Sequence, residues 1–319
     1  MRSLRIWLSY QGTKMDTNQP KVAVSIACYN HEKYIESCLA SVLEQTYKNI
    51  VIFVSDDCST DRTAEVLNNF VDSNKNKYPI SINIKSQNTG VAENFNSVVE
   101  MALNDKEVEY IIPFAGDDLM FKTKVERQVE ALEANKERHL CYSNMQWFNS
   151  STSKTILNHF NFLFKPSENI EKVIAEAIIP TPTLCFRRVA LEKLKYNQKL
   201  RYVNDYLIAV EAALLGGVVY IPELLVRYRK HGASIMDTTL FLEERVDAAN
   251  YIIEHYGYES SARHFAETAR FDYLIQSLNK GNYKDVIIRF TLLLPRFFSS
   301  QKWFFRLLKF FSLSLKRVF

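Results

Sequence analysis

No stretch of the 319 residues reaches the roughly 18 uninterrupted apolar positions that a membrane-spanning helix needs, so the sequence predicts a chain that does not cross a bilayer. Cysteine is scarce and odd in number: Cys28, Cys38, Cys58, Cys141 and Cys185, with no Cys-x-x-Cys pair. That pattern excludes a disulfide framework and a zinc ribbon, and suits reduced, mostly buried thiols in a cytosolic protein. Internal repeats and low-complexity tracts are absent. The segment Met1–Pro20 carries Arg2 and Arg5 but only a broken apolar patch at Ile6–Leu8, which does not make a secretory signal; it reads as an extension before the fold begins near Lys21.

Aromatic residues are plentiful, with 21 Phe and 17 Tyr, and this excludes disorder. The net charge of +4 is unevenly spread: Lys284–Phe319 holds eight Lys or Arg against Asp285 alone, leaving 32 basic and 35 acidic side chains elsewhere. The basic surplus therefore belongs to one end of the chain.

Val22–Cys28, Ile50–Val54, Ile80–Ile84 and Tyr110–Phe114 are short apolar runs rich in β-branched residues, the signature of buried strands. Helical spacing separates them over Lys33–Gln45, the segment with Val66, Leu67, Phe70 and Val71, and Gly90–Leu103. Such alternation predicts βαβ units and a mostly parallel sheet covered on both faces. A charged helix follows from Lys122 to about Lys136, then a strand over Leu140–Phe148. Asn149–Pro182 gives mixed signals. Asn204–Leu215 predicts a helix closed by Gly216-Gly217, Val218–Ile221 and Leu224–Tyr228 two short strands, and everything from Phe241 onward helix.

In a sheet of this kind ligands bind beyond the carboxyl ends of the strands. Tyr29-Asn30, Asp56-Asp57 and Gly116-Asp117-Asp118 each follow a strand, so the three clusters should meet in one crevice. Two adjacent carboxylates after a buried strand need a compensating cation, and a divalent metal shared with a diphosphate supplies one. The alternative for Gly-Asp-Asp is a solvated turn. For Asp56-Asp57 it is helix capping, with Ser59, Thr60 and Asp61 close behind.

Val24-Ser25-Ile26-Ala27-Cys28-Tyr29-Asn30-His31-Glu32, Ser41-Val42-Leu43-Glu44-Gln45-Thr46 and Ser55-Asp56-Asp57-Cys58-Ser59-Thr60-Asp61 strongly resemble family 2 glycosyltransferases of the GT-A fold. Asn88-Thr89-Gly90, Gly116-Asp117-Asp118, Asn204-Asp205, Gly216-Gly217 and Tyr228-Arg229-Lys230-His231 continue the likeness in order, over roughly Lys21–Ser234. The resemblance implies that Ala27, Tyr29, Glu32, Asp57, Asn94 and Asp117 bind a nucleotide sugar. Tyr29 would stack on the base, Asp57 accept its imide N–H and Asp117 hold the ribose. It implies that Asp118 ligates Mn²⁺ or Mg²⁺ on the diphosphate, with His231 a further metal or phosphate contact, and that Asp205 is the general base of an inverting transfer; spacing alone would make Asp205 a helix cap and a lone His structural. The chain departs from the family pattern twice. The usual first Asp of Asp-x-Asp is Ala115 or Gly116, and no Arg follows the Asn-Thr-Gly segment, where Asn94 stands.

At about 100° per residue, Gln301–Phe319 places Lys302, Arg306, Lys309, Lys316 and Arg317 opposite Phe304, Leu308, Phe311 and Leu315. A basic, aromatic amphipathic helix suits an anionic membrane surface; a terminal helix docked on the core is the rival, and no nucleic-acid module is present. The resulting expectation is an α/β GT-A fold over 21–235 between an extension (1–20) and a helical region (236–319). It describes a cytoplasmic enzyme, peripheral on the inner membrane face. The enzyme would move a sugar from a UDP- or dTDP-linked donor to a lipid-linked saccharide acceptor in cell-surface polysaccharide synthesis. A non-catalytic nucleotide-sugar-binding scaffold on the same fold is the alternative. A nucleotidyltransferase would carry a Gly-rich basic loop where Tyr29-Asn30-His31-Glu32 stands.

Overall fold

A computed structural model describes residues 19–74, 78–158, 165–177, 179–231 and 239–280, with a few positions between 286 and 307. The predicted helix over Gln301–Phe319 lies outside the described residues, apart from Leu307, as does nearly all of the N-terminal extension.

Strands β1 (Lys21–Cys28), β2 (Ile50–Asp56), β3 (Ile80–Ile84) and β4 (Val108–Ala115) pair in parallel, with β1 between β2 and β4. β2 is buried along its whole length and β1 from Val22 onward, as strands covered on both faces must be. The covering helices are α1 (Ile35–Leu43), α2 (Thr63–Asn74) and α3 (Val91–Asn104). α1 shows the governing pattern: Ile35, Cys38, Leu39 and Val42 recur every three or four residues and all are buried.

The described residues form a nine-stranded mixed sheet in the order β3-β2-β1-β4-β8-β6-β9-β5, with β7 on β6. Here β5 is Leu119–Met120, β6 Leu140–Asn149, β7 Thr155–Asn158, β8 Cys185–Arg187 and β9 Val218–Lys230. β8 runs antiparallel to both β4 and β6, so β6 and its parallel partner β9 point the same way as β1–β4. The carboxyl ends of all six strands therefore lie at one edge.

The sheet is mostly parallel, as expected, with β5, β7 and β8 inserted antiparallel. One expectation needs correction. The two short strands predicted around Pro222 are one strand, β9; the register steps from Ser143↔Ile221 to Asn144↔Leu224, so the residue without an N–H sits in a bulge. The stretch that gave mixed signals holds β7, the helix α5 (Ile170–Glu176) and a short 3₁₀ turn, Thr181–Thr183.

Adjacent arginines at the end of β8 finish two helices. Arg187 donates to the carbonyls of Leu132 and Asn135 at the end of α4 (Lys124–Ala134). Arg188, opening the short helix α6 (Arg188–Leu191), donates to the carbonyls of Leu103 and Asp105 at the end of α3. Cations at helix C-termini satisfy orphan carbonyls and complement the dipole.

The chain divides into two compact units, one running from the N-terminus to Gly232 except for Ile174–Glu176, the other comprising Ile174–Glu176 and Ala233–Phe319. The second contains α8 (Thr239–Tyr256) and α9 (Glu259–Lys280). These join through an ion pair of 2.8 Å between Arg245 and Asp272, while the Arg245 guanidinium lies 4.7 Å from the Phe265 ring centre. No helix among the described residues is long and apolar enough to cross a membrane.

Candidate active site

The shared strand edge is built by hydrogen bonds between successive loops. After β1 the chain turns at Asn30, whose positive φ of 56° is one that Asn tolerates. Its side chain accepts from Thr60 N–H at 2.8 Å, while its own N–H donates to Ser59 Oγ at 2.8 Å. Glu32 and Asp61 exchange bonds across the same seam: Glu32 N–H donates to Asp61, and Arg62 N–H donates to Glu32 Oε2, both at 3.1 Å. Asp56 accepts from Ser59 N–H, and Asp61 from Thr63 N–H at the start of α2. Within this frame the Tyr29 ring is open, 42 % exposed.

Asp57 is only 2 % exposed, and its carboxylate is well supplied with donors. Thr89 N–H (3.0 Å), Thr89 Oγ1 (2.8 Å) and Gly90 N–H (2.8 Å) all donate to it, and Lys85 Nζ lies 3.3 Å away. It thus pins the loop between β3 and α3. Asn94, also buried, donates to the carbonyls of Cys28 and Ser55 at 3.2 and 3.0 Å and ties the ends of β1 and β2 to α3. The carbonyl of Ala27, a buried residue, accepts from Gly116 N–H at 3.0 Å and sets the turn after β4 against β1.

That turn is tight at Gly116, one of the two positions, with Ala115, where the family's first acid would stand. A Cβ on Gly116 would stand 2.8 Å from Ile35 Cδ1 and 2.9 Å from both Cys28 Cβ and His31 Nδ1, so any side chain there forces its neighbours to shift. The next two residues part company. Asp118 is 1 % exposed and accepts the Arg229 N–H at 2.8 Å. Asp117 keeps 20 % of its side chain exposed and meets His231 Nε2 at 2.9 Å. Burial, then the adjacent Asp117 charge, push the Asp118 carboxyl well above the usual carboxylate range. Asp117 is also raised by burial, but its bond to His231 and the nearby His31 outweigh this and hold it below its ordinary value. The exposed carboxylate that faces His231 is therefore Asp117, with Asp118 behind it.

A divalent cation fits this donor set. One carboxylate and one imidazole stand 2.9 Å apart and are partly open, and Mg²⁺ or Mn²⁺ needs few protein ligands when phosphate oxygens complete its shell. Among the described residues no three His, Cys, Asp or Glu side chains gather as a metal cluster.

Asp205 opens α7 (Asn204–Gly216). Its Oδ2 accepts from Thr181 Oγ1 at 2.8 Å and its Oδ1 from Tyr206 N–H at 2.7 Å, so the half-buried carboxylate is oriented from both sides. Asn204, in the place of the family's Glu, is buried and spent on the carbonyls of Leu200 and Arg201. Burial, then the charges of Asp118, Asp117 and Asp205, push the Tyr228 hydroxyl on β9 up.

Two further contributors, Tyr34 and Lys85, carried no sequence signal. The Tyr34 ring stacks on His231, with centroids 4.8 Å apart. Arg227 and Arg229 share one face, as alternation on a strand requires, their guanidinium carbons 4.4 and 4.8 Å from the Phe148 ring centre.

The family model for glycosyl transferase family 2 matches residues 23–195. This chain belongs to that family. It is 24% identical over 249 residues to an uncharacterized glycosyltransferase of Rickettsia typhi, covering 74% of this chain and 72% of that one. It is 35% identical over 122 residues to the dTDP-rhamnosyl transferase RfbG of Shigella flexneri, covering 37% of this chain and 40% of RfbG. Among solved structures, S. aureus TarS 1–349 in complex with UDP-GlcNAc aligns with a TM-score of 0.59 at 18% identity, over 81% of this chain and 73% of that one. The mannosyltransferase PcManGT of Pyrobaculum calidifontis, in complex with GDP-Man and Mn²⁺, also gives 0.59, at 15% identity over 97% and 84%. The fold is GT-A and the activity is that of a glycosyltransferase.

Proposed function

We propose that the protein transfers a sugar, with inversion, from a nucleoside diphosphate to a hydroxyl of a lipid-linked saccharide in cell-surface polysaccharide synthesis. The observation that carries the reading is geometric: Asp118 accepts the Arg229 N–H at 2.8 Å and Asp117 meets His231 Nε2 at 2.9 Å, so the acidic turn after β4 closes against the end of β9, while Tyr29 and Asp57 follow the carboxyl ends of β1 and β2 at the same edge.

The open Tyr29 ring offers a face on which a base stacks, and Asp57 and Asp117 receive the base and ribose. Asp117 and His231 are the residues that would hold Mn²⁺ or Mg²⁺, with Asp118 fixing the turn behind them. When bound, such a cation offsets the negative charge of a departing diphosphate. Asp205 then takes the proton of the acceptor hydroxyl as that oxygen attacks the anomeric carbon from the face opposite the leaving group. Thr181 and the Tyr206 N–H aim its carboxylate.

UDP or dTDP donors are supported by the UDP-GlcNAc complex of TarS and by the likeness to RfbG, a dTDP-rhamnosyl transferase. A divalent cation is supported by the Mn²⁺ complex of PcManGT. The lipid-linked acceptor and a place on the cytoplasmic membrane face rest on the basic, aromatic sequence of Gln301–Phe319. A thermal-shift screen of UDP-, dTDP- and GDP-sugars with and without Mn²⁺ tests the donor, because ligands of the folded form raise its melting point. Comparing transfer to a polyprenyl-diphosphate sugar with transfer to the free sugar tests the acceptor; equal rates would remove the lipid-linked claim.

A further inference from the structure

Arg229 holds both acids of the turn. Its backbone N–H donates to Asp118 Oδ1 at 2.8 Å and its Nε to the carbonyl of Asp117 at 2.6 Å. A terminal nitrogen reaches Ser37 Oγ on α1 at 3.2 Å. The guanidinium carbon lies 4.8 Å from the ring centres of both Tyr34 and Phe148, and Tyr34 in turn stacks on His231. The guanidinium therefore lies against two rings, with at least two of its N–H groups committed to oxygens. A planar, permanently charged fork suits such a place and an ammonium does not.

We propose that Arg229 is a positioning residue: its backbone and side chain fix Asp117 and Asp118, and through Tyr34 the His231 ring, in the arrangement that receives a cation-bridged diphosphate. The inference rests on the nucleotide-sugar reading above. Arg229 need not touch the donor. It supplies the fixed positive charge that lets two neighbouring carboxylates share one strand end, and it locks the turn after β4 to β9 and α1. Its guanidinium spans these three elements, so its loss should loosen the site more than the fold.

The test measures Mn²⁺ binding by the disappearance of the free-ion electron spin resonance signal, in the presence of UDP, dTDP or GDP. Circular dichroism and melting temperature are recorded on the same samples. Arg229→Ala keeps the backbone N–H to Asp118 but removes the bond to Asp117 and both ring contacts. It should weaken Mn²⁺–nucleotide binding about tenfold or more, as loss of groups that orient metal ligands does, with native circular dichroism. Arg229→Lys, which restores the charge without the fork, should recover part of that loss. If Arg229→Ala proves unfolded, Tyr34→Leu decides, since it removes the ring between Arg229 and His231 and should weaken binding in the same direction. Wild-type affinity in the folded variants overturns the role of Arg229 and leaves the nucleotide-sugar reading standing. No Mn²⁺–nucleotide binding by the wild type overturns both.

Discussion

His231 Nε2 lies 2.9 Å from Asp117 Oδ2, joining the end of β9 to the turn after β4 across 114 residues of chain. The pair is the open part of the acidic turn, and its removal should be felt in chemistry before stability. Asp117→Asn keeps the shape and removes the charge, so turnover should fall on the order of 100-fold or more. His231→Gln should raise the Mn²⁺ concentration needed for half-maximal rate. Initial rates of sugar transfer across a Mn²⁺ titration check both; a wild-type titration curve for Asp117→Asn would remove the carboxylate from the site.

Asp205→Asn separates catalysis from binding. An amide cannot take the acceptor's proton, so kcat should drop by roughly 10²–10⁴-fold while the donor's dissociation constant stays near the wild-type value. Thr181→Val, which removes the 2.8 Å bond to Asp205 Oδ2, should cost about tenfold or more through misorientation alone. A protein acting only as a binding scaffold would show no turnover in the wild type, so the same assay separates the two functions.

Much of this frame was legible in the sequence. The four apolar runs became β1–β4 because buried parallel strands read as continuous β-branched segments, and the polar clusters after them fall at one edge because parallel pairing leaves no other place. The short antiparallel pieces were not legible. β5 has two residues and β8 three, too few for a period to show, and Pro222 broke a strand that a bulge carries past it. In the site, Asp118 gave no sign that its carboxylate would turn inward to Arg229. Its burial depends on β9, more than 100 residues later. Tyr34 and Lys85 act through contacts made only by the folded chain.

Gly116 separates the family's pattern from this chain's packing. Restoring even a methyl group there brings it within 2.9 Å of three side-chain atoms, Ile35 Cδ1, Cys28 Cβ and His31 Nδ1. Gly116→Ala should destabilise the protein by ~1–3 kcal/mol through overpacking, and Gly116→Asp by more, since it adds a third carboxylate to the turn. Urea unfolding at neutral pH measures both. An alanine variant as stable as wild type would mean that α1 yields at Ile35.

Lys124 supplies a prediction away from the chemistry. It is fully buried at the start of α4, its Nζ donating to Gln128 Oε1 at 2.8 Å, and burial pushes its pKa down to about 8 from 10.5. Between those values the unfolded chain holds a proton that the folded one does not, so Lys124 makes stability rise with pH across that window. Below pH 8 both states are charged and the folded state bears the full penalty, ~3 kcal/mol at 1.36 kcal/mol per pKa unit. Lys124→Met removes the ammonium and one hydrogen bond of about 1 kcal/mol. The variant should therefore be the more stable protein at pH 7, by ~2 kcal/mol. By pH 10 the wild type has lost most of its penalty, and the difference should shrink to near zero or reverse. Paired urea denaturations at the two pH values isolate the effect, because every other titrating group is common to both proteins. A difference that stays constant with pH would mean that Lys124 keeps its ordinary pKa inside the fold.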